Sequence, residues 1–109
     1  MTPRRVLFLC SRNRLRSPTA EQVFGAWPHL EVDSAGLADD AEVVLDAAQL
    51  DWAELVLVMD ASQRRRLRER HGGQLKGKRV VCLDIPDRYD FMQPELVALL
   101  LKKAGPLLR

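Results

Sequence analysis

The chain has little of what holds small secreted or metal-bound domains together. It contains two cysteines, Cys10 and Cys82, and two histidines, His29 and His71, in 109 residues. Two thiols make no disulfide framework, and no Cys/His cluster has the spacing of a zinc site. Long apolar runs are missing too: Val6-Leu7-Phe8-Leu9-Cys10 stops at Ser11-Arg12, short of a signal-peptide core and far short of a membrane span. Repeats, linkers and low-complexity segments do not occur. These absences predict one domain over residues 1–109 in a reducing cytoplasm, without a zinc site or membrane contact, and leave the oligomeric state open.

The residues present are those of an ordinary globular protein, 47% hydrophobic and 29% charged. The formal net charge of +2 hides a segregation, because residues 31–60 hold nine acids and no Lys or Arg, while residues 62–79 hold eight bases against Glu69 alone. Net charge therefore understates the surface field. Arg64, Arg65, Arg66, Arg68 and Arg70 read as a solvated helix face, since no aromatic residues are interleaved to stack on bases.

Hydrophobic patterning alternates between short buried strands and amphipathic helices. Val6–Leu9 is a continuous apolar run, the signature of a strand covered on both faces. Ser17-Pro18 predicts a helix start, with Ser as N-cap and Pro at the first position, followed by Ala20, Val23, Phe24 and Trp27 at helical spacing up to Pro28. Leu30–Asp33 is a second strand breaking at Ser34-Ala35-Gly36, and Leu45, Ala48 and Trp52 mark a short second helix. Leu55–Met59 is a third strand, Ser62 a candidate cap for the arginine-rich helix that Gly72-Gly73 ends near His71, and Arg79–Leu83 a fourth strand. After a loop over Asp84–Asp90, Pro94 opens a last helix through Leu96, Leu99, Leu100 and Lys103.

Four strand–helix units in succession predict an α/β fold: a parallel four-stranded sheet of order 2-1-3-4 with helices on both faces. In that order the ligand crevice falls at the carboxyl end of strand one, so the loop Cys10–Arg16 faces it. A short turn between a buried strand and a helix points backbone N–H groups inward, and with the helix dipole it favours a phosphate-sized anion. The same field favours Cys10 as a thiolate nucleophile, with Ser17 able to donate a hydrogen bond to it. Arg16 offers a planar fork for two phosphoryl oxygens, and Asn13 suits a left-handed kink without glycine.

Cys10, five residues, then Arg16-Ser17-Pro18 after a first strand resembles the low-molecular-weight protein tyrosine phosphatase family, in particular a short bacterial branch. Asn13 at the third place after the cysteine, Ser34-Ala35-Gly36, Met59-Asp60 and Asp87 in a late loop follow in the family's order. The resemblance implies hydrolysis of phosphotyrosine or similar aryl phosphate monoesters through a cysteinyl-phosphate, with inorganic phosphate as product and no cofactor. It implies Cys10 as nucleophile, Arg16 as phosphate clamp and Asp87 as general acid, with Ser11, Arg12, Asn13, Arg14, Leu15 and Ser17 forming the phosphate loop. Tyr89 would flank the substrate ring. Arg88 stands after Asp87 where the family usually has proline, so Asp84 is a rival acid. Arg12 and Arg14 replace a glycine and an apolar residue, which makes the rim more cationic and suited to acidic substrates.

The plainer readings differ residue by residue. Cys82, inside a strand, reads as core; Asp60, Asp84 and Asp90 read as turn or capping residues; Trp27 and Trp52 read as packing. Two other functions share the anion loop. A thiol-coupled arsenate reductase relays oxidation through further cysteines, of which this chain offers only Cys82. A non-catalytic module would bind phosphate or nucleic acid through the loop and the arginine helix.

Overall fold

The first apolar run becomes the sheet's central strand, β1 (Arg4–Cys10), in the computed structural model, which describes residues 4–109; residues 1–3 of the expected domain lie outside it. Val6, Leu7, Phe8 and Leu9 have no exposed surface. β2 (Leu30–Gly36) and β3 (Leu55–Val58) flank β1, and β4 (Arg79–Cys82) pairs with β3. All three pairings are parallel and the order is 2-1-3-4, as the unit-by-unit reading predicts. A strand's alternate residues point to opposite faces, so β1 feeds two cores at once. Val6 and Phe8 pack with Phe24, Leu96, Leu100 and Leu108, whereas Leu7 and Leu9 pack with Leu50, Val56, Val58 and Leu67.

Helices therefore cover both faces. On the first lie α1 (Arg16–Phe24), α4 (Pro94–Lys103) and α5 (Gly105–Leu108); on the second lie α2 (Ala47–Trp52) and α3 (Ala61–His71), the last continued by a 3-10 turn over Gly72–Leu75. Phe24 stacks on Phe8 at a centroid distance of 5.5 Å, and Trp27 meets Phe24 edge-on at 4.9 Å. Both tryptophans pack against core clusters, as their spacing predicts. Truncating a fully buried residue such as Leu100 to Ala would cost about 2–5 kcal/mol.

Local expectations needed correction in several places, each for a physical reason. Ser17 is not an N-cap: α1 begins at Arg16 with Leu15 in the cap position, and the Ser17 hydroxyl is committed to Cys10 and Asn13. Ser62 does not cap α3; Asp60 does, accepting from the Gln63 N–H, while Ser62 donates to the same carboxylate. β2 runs through Ser34-Ala35-Gly36 instead of breaking there, since those small residues pair with Phe8, Leu9 and Cys10. Leu50, not Ala48, carries the buried face of α2, and Asp46 with Gln49 closes a capping box at its start. Cys82 is only half-buried because β4 is the sheet edge. The short α5 is an element the patterning did not anticipate.

Candidate active site

β1 ends at Cys10 and α1 begins at Arg16, so residues 11–15 must turn within five positions beneath the helix N-terminus. Asn13 takes the sharpest corner with φ of 56°, a left-handed conformation that asparagine tolerates better than most residues. No side chain caps α1, so the first N–H groups of the helix are left to the cavity in front of them. β2 closes the loop from the side: Leu37 N–H donates to Cys10 O at 3.0 Å and Ala38 N–H to Ser11 O at 2.8 Å. This approach requires glycine at position 36, where a Cβ would lie 2.5 Å from Ala41 Cβ and 2.7 Å from Ser11 O.

Behind the loop runs a chain of polar side chains linked by hydrogen bonds. Glu21, as a carboxylate, only accepts, so its contact with Ser34 makes the Ser34 hydroxyl the donor. Ser34 Oγ then accepts from Asn13 Nδ2 at 2.9 Å, which fixes the amide's orientation, and the same nitrogen donates to Ser17 Oγ at 2.9 Å. Ser17 Oγ also shares a hydrogen bond with Cys10 Sγ, 2.9 Å away, and Asn13 N–H donates to that sulfur at 3.2 Å.

Arg16 is 3% exposed, so its charge needs partners within the protein. Nη1 donates to Ile85 O at 2.8 Å and to Asp60 Oδ2 at 3.2 Å, and Nε lies 3.6 Å from Asp87 Oδ1. Burial works to raise the Asp60 carboxyl, but hydrogen bonds from Ser62, the Gln63 N–H and Arg16 outweigh it and hold the group below its ordinary value of 3.8. Gln63, fully buried, accepts from Met59 N–H and reaches Ser11 Oγ at 3.4 Å, which ties α3 to the loop.

Cys10, Ser11, Arg12, Arg14, Leu15, Arg16 and Asp87 line one cavity of about 240 Å³. That is below the roughly 300–1,000 Å³ of sites for drug-sized ligands and suits a phosphoryl group with part of its substituent. The Asn13 and Ser17 side chains are buried and contact the cysteine side instead of lining the cavity. Asp84 lies elsewhere: its carboxylate is 3.4 Å from Cys82 Sγ and its carbonyl accepts from Lys103. Tyr89 packs against the core below Arg88, whose guanidinium is 5.6 Å from the ring centroid, and does not line the cavity. The sequence reading did not single out Glu21, Gln63 or the second role of Asp60. Glu21 stands one helical turn beyond Ser17, and Asp60 ends the strand beside β1, so position in the fold was the available signal.

Cys82 packs against the core on the opposite face of the sheet from Cys10, and burial pushes its thiol up from the ordinary value. Among the described residues no three His, Cys, Asp or Glu side chains gather as a metal site, and no helix is long and apolar enough to cross a membrane.

No model of a protein family matches the chain, and no curated protein matches it. Solved structures do. The YwlE arginine phosphatase from Geobacillus stearothermophilus is 24% identical with a TM-score of 0.76, over 96% of this chain and 93% of that one. The tyrosine phosphatase Wzb from Escherichia coli K30, solved with phosphate, is 20% identical with a TM-score of 0.76, over 95% of each chain. A low-molecular-weight protein tyrosine phosphatase from T. tengcongensis is 23% identical with a TM-score of 0.72, over 94% of this chain and 93% of that one. The chain has the fold of these phosphatases.

Proposed function

We propose that the chain is a cysteine-dependent phosphomonoester hydrolase of the low-molecular-weight protein tyrosine phosphatase type, acting on phosphotyrosine or similar aryl phosphates. The observation that carries this reading is the single cavity shared by Cys10, Arg16 and Asp87. Fold likeness to phosphatases supports it, and so does the polar chain that brings the Asn13 N–H and the Ser17 hydroxyl to the Cys10 sulfur.

The groups divide the reaction between them. The loop N–H groups and the Arg16 fork hold the phosphoryl oxygens, and the Cys10 thiolate attacks phosphorus in line with the leaving oxygen. As the P–O bond breaks, Asp87 gives its proton to that oxygen, and the phosphoryl group is left on sulfur. Water then attacks the same phosphorus, its proton passes to the Asp87 carboxylate, the S–P bond breaks and inorganic phosphate departs. Asp87 is the better candidate for the acid because it lies in the cavity, while Asp84 faces Cys82.

An aryl leaving group suits the site better than phosphoarginine, the substrate class suggested by the YwlE likeness. Arg12 and Arg14 stand in the lining and would repel a guanidinium. Rapid acid quenching during turnover of an aryl phosphate, followed by peptide mapping, tests the proposal: phosphate on Cys10 is expected. A phosphate-free Cys10 under steady turnover would refute the covalent route, and faster release from phosphoarginine would reassign the substrate.

A further inference from the structure

The mouth of the cavity carries an arrangement that the hydrolytic chemistry does not need. Arg12 and Arg14 line it with side chains 58% and 52% exposed. Each faces one acid of the segment that follows β2, with Arg12 Nε 3.8 Å from Asp40 Oδ1 and Arg14 Nε 3.4 Å from Glu42 Oε1. Both separations exceed the roughly 2.7–2.9 Å of a charge-assisted hydrogen bond, and all four side chains are solvated, so the pairs are weak and exchangeable. The two backbone segments that carry them are nonetheless held together, because Ala38 N–H donates to Ser11 O at 2.8 Å and Glu42 N–H donates to Arg12 O at 3.0 Å.

Building on the phosphatase reading, we infer that Arg12 and Arg14 form a second anionic subsite that selects phosphopeptides bearing carboxylates beside the phosphorylated residue. Asp40 and Glu42 occupy that subsite in the free protein. Each substrate carboxylate takes the place of an intramolecular one on its guanidinium, and the displaced Asp40 and Glu42 side chains, already 63% and 64% exposed, are left to solvent. A peptide fits better than a nucleic acid. Asp39, Asp40 and Glu42 together would repel a continuous run of phosphates, whereas one or two carboxylates make a local exchange. Asp40 and Glu42 thus act as built-in competitors that lower the affinity for non-specific anions.

The test compares kcat/KM for two phosphotyrosine peptides of equal length, one flanked by Asp and Glu and one by Ala and Gln. Wild type, Arg12→Gln/Arg14→Gln and Asp40→Asn/Glu42→Gln are assayed at about 20 and about 200 mM salt. The acidic-to-neutral ratio is read, so any effect on the chemistry common to both peptides divides out. Wild type should prefer the acidic peptide about three- to tenfold at low salt, the range that exposed ion pairs command, with less preference at high salt. The arginine variant should lose the preference, and the acid variant should increase it. Equal ratios in all three proteins would overturn the inference, as would competition by a single-stranded oligonucleotide stronger than that by an unphosphorylated acidic peptide. p-Nitrophenyl phosphate turnover, measured in parallel, reports the phosphatase reading by itself. If turnover is absent, calorimetric binding of the two peptides to the intact protein decides the subsite.

Discussion

Asp60 holds Arg16 with one carboxylate oxygen and the first turn of α3 with the other. Oδ2 accepts from Arg16 Nη1 at 3.2 Å, while Oδ1 accepts from Gln63 N–H at 3.0 Å and from Ser62 Oγ at 2.6 Å. The residue that caps the helix after β3 thus also orients the buried guanidinium, whose Nε lies 3.6 Å from Asp87 Oδ1.

The two roles separate by substitution. Asp60→Asn keeps a capping side chain but removes the charge facing Arg16, so KM for phosphate esters should rise and the melting temperature should fall by the lost ion pair alone. Asp60→Ala should add a loss of about 1 kcal/mol in stability from the missing cap. Chemical denaturation alongside steady-state kinetics checks both outcomes, and equal melting temperatures for the two variants would contradict the capping role.

Asp60 also predicts an acid limit. Its folded-state value is lowered, so the unfolded chain binds more protons near the ordinary value of 3.8, and the stability this group contributes is complete above that value. It is lost as pH falls through the lower folded value. A plot of unfolding free energy against pH should therefore fall below about pH 4, and Asp60→Asn should fall less steeply there.

Much of this architecture is legible without coordinates. Strand order follows from four strand–helix units, and the Cys10–Arg16 loop from a buried run ending in polar residues before a proline. Misreadings arose where a side chain had a stronger partner than its local backbone. Ser17 looks like a cap by its neighbour Pro18, but its hydroxyl lies between Cys10 and Asn13. Ser62 looks like a cap by its place before the arginine run, but Asp60 has the better reach to Gln63 N–H. Contacts distant in sequence, such as Asn13 to Ser34 and Arg16 to Asp60, leave no periodic trace and appear only when the sheet brings β2 and β3 alongside β1.

The polar chain behind the loop gives a further prediction. Ser17→Ala removes the hydroxyl 2.9 Å from the Cys10 sulfur and should slow alkylation of Cys10 by iodoacetamide at neutral pH. Ser34→Ala should act in the same direction but more weakly, because it frees the Asn13 amide without touching the sulfur. Mass-mapped alkylation rates separate these effects from any change in substrate binding.

Cys82 provides the control for the same experiment. Burial raises its thiol, so it should react slowly at neutral pH, and Cys82→Ser should leave phosphate release unchanged. Loss of activity in Cys82→Ser would instead favour a redox relay between the two cysteines.

Gly36→Ala tests how tightly β2 supports the loop. A Cβ there meets Ser11 O and Ala41, and overpacking of this kind costs about 1–3 kcal/mol. The variant should remain folded by circular dichroism, melt at lower temperature and bind phosphate or vanadate more weakly. Unchanged anion affinity would mean that the loop keeps its shape without that support.

The most direct test of the account is phosphate release from p-nitrophenyl phosphate across acidic to neutral pH by wild type, Cys10→Ser, Asp87→Asn and Asp84→Asn. Wild type should turn over, Cys10→Ser should be inactive, and Asp87→Asn should fall at least about 100-fold, the lower end of general acid–base contributions, with Asp84→Asn close to wild type. Full turnover by Cys10→Ser would contradict the account outright.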